Sequence, residues 1–268
     1  MAEYVNALGT VHLNRPVRRV LHKDRRVTGL ELADGVVQSC DHVISTMPLT
    51  LLIRGLDGVP DKVLEAADAL RFRNTIVVYL HVGGKDLFPD QWIYVHAPDL
   101  RVGRVTNFRN WVPQLVGNSQ NTILSLEYWC FDDDEIWRES DEQLICRAKQ
   151  EIESTGLLND SPVLDGAVVR VPRCYPVYSH GYQRHLNVLI DYLREFNGLT
   201  AIGRYGAFKY NNQDHSILMG LLAADQVLTE HDHDLWSVNS DYESYQEAAT
   251  ISATGLEPVR EEYAGANS

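Results

Sequence analysis

The sequence predicts an α+β protein, in which a β-meander with its return strand precedes an antiparallel sheet with flanking helices. Three observations lead there. Short β-branched segments crowd the first fifty residues, a second series of strands follows on connections too short for helical crossovers, and amphipathic helical patterns are set between and after them. The 268 residues are enough for one large or two modest domains with real cores.

From Thr10 to Met47 the segments TVHL, VRRVLHK, VTGLELA, VVQSC and HVISTM read as a β-meander ending in a buried strand, with turns at Lys23-Asp24 and Asp34-Gly35. Pro48 pushes its predecessor toward extended geometry, so the strand ends there. Val63, Leu64, Ala67 and Leu70 share one face of a helix expected over Pro60 to Leu70. Strands are expected at 75–82, 92–97, 103–108, 122–129 and 167–172. Between the last two, Ser140 and Gln143 form a capping-box pattern for a helix from Asp141 to Thr155, with Gly156 as C-cap and Leu144, Ile145, Ala148 and Ile152 as its buried stripe. A further helix over Tyr182 to Phe196 carries Leu186, Leu189, Ile190 and Leu193 on one face before the strand LTAIG. Beyond Leu228 the text is polar and low in aliphatics, which predicts a mobile tail, and no internal repeat stands out.

Lysine and arginine number 24 against 37 acids, a formal charge of −13, so general attraction to nucleic acid or an anionic membrane is not expected. The 4 cysteines, Cys40, Cys130, Cys146 and Cys174, form no C-x-x-C pair and suggest neither zinc knuckle nor disulfide framework. No apolar run reaches the roughly 18 residues of a membrane span, and MAEYVNALG lacks the layout of a signal peptide. A soluble, reduced, cytoplasmic setting is the expectation.

Chemistry concentrates in GRYGAFKYNNQDHSILMGLLAA, residues 203–224, where a strand ends, a glycine-punctuated turn follows, and an apolar helix begins near Ser216 with Asp214 as N-cap. Two readings stand side by side. Glycines and amides at a helix start suit a phosphate or a polarised carbonyl oxygen, and equally the stretch is a capped turn whose Tyr and Asn satisfy one another. The chain contains no G-x-G-x-x-G phosphate cradle, and Gly203-x-x-Gly206 is a fragment of that pattern. Elsewhere, His231 and His233 with Asp232 and Asp234 read as a solvated tail rather than a metal site, so no metal is expected. FDDDEIW reads as a helix start, and Ser179-His180 lacks a nucleophile elbow. Trp92, Tyr94, Trp111, Tyr128 and Trp129 sit on or beside the strands, with core packing as the default reading and cleft lining as the other.

The stretch TAIGRYGAFKYNNQDHSILMGLLAADQVL resembles the C-terminal FAD-closing segment of UDP-galactopyranose mutases and their relatives in the amine oxidase and protoporphyrinogen oxidase superfamily. RCYPVY (173–178) resembles the mutase Tyr-Pro-Val segment, and the meander resembles the part that meets the adenine end before returning to the FAD sheet. The resemblance spans about residues 1–230 and implies FAD as cofactor and a small-molecule substrate, a nucleotide sugar among the candidates. It implies Arg204, Tyr210 and Tyr175 as substrate-binding residues, with Arg104 as a weaker match to a second arginine. For the cofactor it implies Val17 at the adenine, Thr46, Met47 and Pro48 near the phosphates, and Gly203, Gly206, Asn211, Asn212, Gln213 and Ser216 along the flavin. It assigns no catalytic side chain and does not separate flavin redox chemistry from sugar isomerisation.

Departures accompany the likeness. Lys209-Tyr210-Asn211-Asn212 stands where mutases carry Arg-Tyr-Leu-Asp, and the chain begins where the family would already have supplied its first βαβ unit. It therefore reads as the C-terminal portion of a flavoprotein: a remnant of the FAD-binding domain over 1–56, an antiparallel substrate domain over 57–180, an FAD-closing segment over 181–230 and a polar tail over 231–268. Either it works as a flavoenzyme, or it is a fragment without catalysis that needs a separate N-terminal FAD-binding half as partner chain.

Overall fold

A computed structural model describes residues 2–229, 231–238, 249–252 and 255–258. In chain order the first elements are α1 (Ala2–Leu8), β1 (Val17–Lys23), β2 (Arg26–Leu32), β3 (Val37–Ser39), β4 (Val43–Ser45), α2 (Leu49–Arg54) and α3 (Asp61–Ala69). Next come β5 (Phe72–Val82), β6 (Trp92–Tyr94), β7 (Arg104–Asn107), α4 (Phe108–Trp111), β8 (Thr122–Cys130), α5 (Asp141–Ser154) and β9 (Val163–Pro176). The last are α6 (Tyr182–Arg194), β10 (Leu199–Ala201), α7 (Gly203–Gly206), α8 (Gln213–Thr229), β11 (Ala249–Ser252) and β12 (Gly255–Pro258), with single 3-10 turns at Pro113–Leu115 and Glu135–Arg138. None of the described helices is long and apolar enough to cross a membrane.

The chain divides into two compact units, one from Met1–Ala67 with Leu186–Ser268 and the other from Asp68–His185. In the first, β1, β2 and β3 form the expected antiparallel meander. Its tight first turn holds Asp24 and Arg25 at φ 50° and 63°, the paired positive φ of a hairpin turn that follows the strand twist. TVHL forms no strand, because β propensity without a partner ladder leaves an extended segment unpaired. The return strand β4 pairs in parallel with β10, Val43 opposite Leu199 and Ser45 opposite Ala201, so segments far apart in sequence make a sheet of two strands.

In the second unit a five-stranded antiparallel sheet runs β6-β7-β8-β5-β9. Alternation fixes its faces, since side chains two apart in a strand point the same way. Ile76, Val78, Leu80 and Val82 of β5 meet Leu124, Leu126, Tyr128 and Cys130 of β8 under Leu144, Ala148 and Ile152 of α5. The helix starts where the sequence sets it: Ser140 Oγ accepts the Gln143 N–H and Gln143 Oε1 accepts the Ser140 N–H. Buried Glu151 accepts the N–H groups of Arg101 and Val102, so this core carboxylate is satisfied by backbone. Burial, then the neighbouring Glu151, pushes the Tyr128 phenol well above its ordinary pKa, and burial raises the Cys130 thiol to about 11.

Part of the expected polar tail lies among the described residues. Leu235 is buried and joins Ile202, Ala207, Met219 and Ala223 in a small core, and β11 pairs with β12. The rest of the tail lies outside the described residues.

Candidate functional site

Two regions carry the residues singled out above, one in each unit. In the first unit, the Ile202 N–H donates to the Ser45 carbonyl at 2.9 Å and extends the β4/β10 register by one step. The chain then enters α7 through Gly203, whose φ of +80° disfavours any residue with a Cβ, and among the described residues no atom beyond its chain neighbours and its own helix backbone lies within 4 Å of where one would stand. Gly206 is needed for a different reason. A Cβ there would lie 2.8 Å from the Ser45 carbonyl oxygen and 3.4 Å from Thr46 Cα and the Met47 carbonyl oxygen. The Gly-x-x-Gly spacing is thus one helical turn laid on the 45–47 backbone. It brings Gly203, Gly206, Thr46 and Met47 together, while Pro48 precedes the first turn of α2. The glycine-punctuated turn expected here takes the form of a helical turn of 4 residues.

Arg204 folds back over the turn that follows. Its Nε and Nη2 donate to the Asn211 carbonyl at 3.1 and 2.5 Å, and its guanidinium carbon stands 4.8 Å from the centroid of the Tyr210 ring. Tyr210 is 36% exposed, so its phenol is not sealed in the interior. Asn211 is buried, with its Oδ1 accepting from Ser216 Oγ at 3.4 Å and its amide turned toward Met219. Asn212 and Gln213 are exposed where α8 begins. The helix starts at Gln213, three residues before the expected Ser216, and the Ser216 N–H donates to the Asn212 carbonyl. Asp214 therefore lies in the first turn rather than at the N-cap, and its carboxylate still complements the positive helix end. Val17 lies at the start of β1, opposite Leu32.

In the second unit, Arg104 and Tyr175 lie on the five-stranded sheet, on β7 and β9. Arg104 is opposite Glu127 in the β7/β8 register. Its Nε donates to Glu127 Oε1 at 2.9 Å, and its Nη2 donates to Oε1 at 2.6 Å and to Oε2 at 2.7 Å. Burial opposes the Arg104 charge, yet hydrogen bonds and charge from Glu127, with smaller contributions from Tyr175 and Tyr94, hold its pKa above the ordinary value. Around the pair stand rings: Tyr94 lies 5.0 Å from Trp92 and 6.2 Å from Trp129, with the Arg104 guanidinium 5.9 Å from Tyr94. Core packing holds for Tyr128 alone among the aromatics weighed from the sequence. Trp92, Tyr94 and Trp111 are 42%, 44% and 47% exposed, because their positions put them on the face opposite α5 or beyond the sheet.

Glu127 was not anticipated. A lone acid inside TILSLEYW was the signal, since a carboxylate in an apolar strand must find a cation or a set of donors. Among the described residues no cluster of His, Cys, Asp and Glu could hold a metal ion; His233 instead pairs with Asp225 at 2.6 Å.

The chain resembles known proteins over most of its length. Residues 1–228 match the family described as flavin containing amine oxidoreductase. A reduced UDP-galactopyranose mutase shares the fold at a TM-score of 0.72 and 23% identity, over 85% of this chain and 49% of that one. A putrescine oxidase variant redesigned in its cofactor binding aligns at 0.59 and 15% identity, over 85% and 51%. An oxidoreductase from Methanosarcina mazei aligns at 0.56 and 14% identity, over 84% and 52%. The chain thus spans about half the length of these structures. No match was found among curated proteins. With the matched segment covering residues 1–228, the protein belongs to the flavin-containing amine oxidoreductase family.

Proposed function

We propose that this chain supplies the cofactor-closing turn and the substrate sheet of an FAD-dependent oxidoreductase similar to UDP-galactopyranose mutase, acting on a nucleotide sugar or a related small molecule in a reducing, cytoplasmic setting. The observation that carries this reading is the seat of α7 on the 45–47 segment. Two stretches about 150 residues apart, each matched to the cofactor by resemblance, share one surface, with bare backbone and open room at Gly203. Gly203, Gly206, Thr46, Met47 and Pro48 would hold the cofactor here, with the first N–H groups of α8 supplying donors for oxygen atoms. Arg204, Tyr210, Tyr175 and Arg104 are the residues assigned to substrate. The bound flavin supplies hydride acceptance or, once reduced, a nucleophilic nitrogen. The chain's own residues orient the substrate and keep water from it.

A second reading has its own support. Among the described residues the parallel sheet has two strands, an arrangement rarely stable alone, and α8 leaves Ile217, Leu221 and Leu228 exposed along one side. Both features fit a partner polypeptide that adds strands and a helix and carries the glycine-rich phosphate cradle.

Flavin absorbance of the purified chain decides between the two. Bound flavin near one per chain, lost in Gly203→Val with the circular dichroism spectrum kept, is the outcome expected of the first reading. A colourless chain that takes up FAD only with a strand–GxGxxG–helix polypeptide supports the second, and no uptake under either condition refutes both.

A further inference from the structure

We propose that Glu127, by occupying the donor fork of Arg104, sets the face of the five-stranded sheet opposite α5 to receive the neutral ring of a ligand and to refuse its anion. This rests on the reading of the sheet as a substrate surface. The register places Trp92, Tyr94, Arg104, Glu127 and Trp129 on that face, together with Thr75, whose buried hydroxyl lacks a hydrogen-bond partner among the described residues. Trp129 lies directly over Gly103, where a Cβ would come within 2.2 Å of its ring, so the indole is held in place beside Tyr94. Aromatic rings set near one another with over two fifths of Trp92 and Tyr94 exposed form a platform for stacking.

Charge decides what stacks there. A free guanidinium offers a carboxylate or phosphate two parallel N–H donors, whereas here Nε and Nη2 are both committed to Glu127. Nη1 is the nitrogen left without a hydrogen-bond partner among the described residues, and its two N–H groups can meet hydroxyl or carbonyl oxygens. The pair is close to neutral as a unit. A diphosphate entering the fork would have to displace Glu127, whose side chain is 11% exposed, and leave that carboxylate unpaired beside the incoming anion. A sugar ring or a nucleobase meets no such cost.

Calorimetric titration of the full chain with uridine, galactose and UDP tests this, with flavin content read from absorbance in the same samples. In the wild type, uridine or galactose binds, the two arms separating base from sugar, and UDP binds within about threefold of the tighter neutral probe. E127Q releases the fork and tightens UDP by about tenfold or more, the gain of one charge-assisted contact, while neutral probes shift less than about threefold. Misfolding would weaken every probe and would not raise this ratio. Should E127Q fail to fold, R104Q/E127Q removes both charges and is expected to keep the wild-type ratio. The proposal falls if wild-type UDP outbinds the neutral probes by about tenfold, if E127Q leaves the ratio unchanged, if the double variant loses UDP selectively, or if neither neutral probe binds at millimolar concentration. A shifted ratio without flavin would overturn the flavin reading alone; bound flavin with an unchanged ratio would overturn this one alone.

Discussion

The two units solve the burial problem in different ways. Asp68–His185 closes a core from neighbouring stretches of chain: an antiparallel sheet, each strand joined to an adjacent one by ladders, under one well-capped helix. The other unit draws its elements from both ends of the sequence, pairs β4 with β10 across more than 150 residues, and leaves an apolar side of α8 facing outward. Side-chain packing holds Asp68–His185, while the other unit combines buried Leu49, Leu52, Ile53 and Leu189 with close backbone approaches such as that of Gly206 to Ser45. The surfaces proposed to meet ligands follow the same division, with an aromatic and ionic sheet face in Asp68–His185 and bare peptide at glycines in the other unit.

Breaking the packed unit should produce the largest effect. Leu126 is fully buried at the centre of β8, and Leu126→Ala removes its contacts with the β5 and α5 side chains. A loss of about 2–5 kcal/mol is expected. Hydrogen exchange of the β5 and β8 amides measures it locally, which suits a chain of two units better than a single melting curve. Protection that is unchanged there would show that this core does not carry the unit.

For the other unit, a pair of helical glycines carries opposite expectations. Gly206→Ala puts a methyl group 2.8 Å from a carbonyl oxygen that cannot move without disturbing β4, so despite alanine's better helix propensity it should cost about 1–3 kcal/mol. Gly220→Ala, in α8 with no described atom outside its neighbours and its own helix backbone within 4 Å of the new atom, should instead stabilise by about 0.5–1 kcal/mol. Denaturant midpoints of the two variants read the signs directly. Stabilisation by both would mean that α7 does not rest on the 45–47 segment.

The same division explains what was legible in the sequence. Local signals spoke for the second unit: the Ser140/Gln143 box, the Leu144, Ala148 and Ile152 stripe and the alternation of β5 and β8 each depend on residues a few positions apart. Legibility failed where the partner is remote. Gly203 and Gly206 are visible as glycines, but only β4 shows that they begin and seat a helical turn. The strand parity that exposes Trp92 and Tyr94 depends on which face α5 covers, a tertiary choice invisible to composition. Glu127 could have been found as a charge in an apolar strand, yet its partner Arg104 is 23 residues away.

The smallest expected effect is electrostatic and lies at the seam of β4 and β10. His42, one residue before β4, has its Nε2 2.9 Å from Thr200 Oγ1 on β10, and burial holds its pKa below the ordinary value. The unfolded chain then takes up a proton at a higher pH than the folded one. Stability from this group is complete above about pH 6.5, declines as pH falls through that value, and levels off below the depressed folded pKa. His42→Gln keeps a polar partner for Thr200 but cannot titrate. The difference in Tm between wild type and variant should therefore change as the pH is lowered from about 7.5 to about 5.5, with wild type losing more, while slopes from all other groups cancel in the subtraction. A difference that stays flat would mean that the imidazole reaches water in the folded state, and that the seam is more open than its hydrogen bond to Thr200 implies.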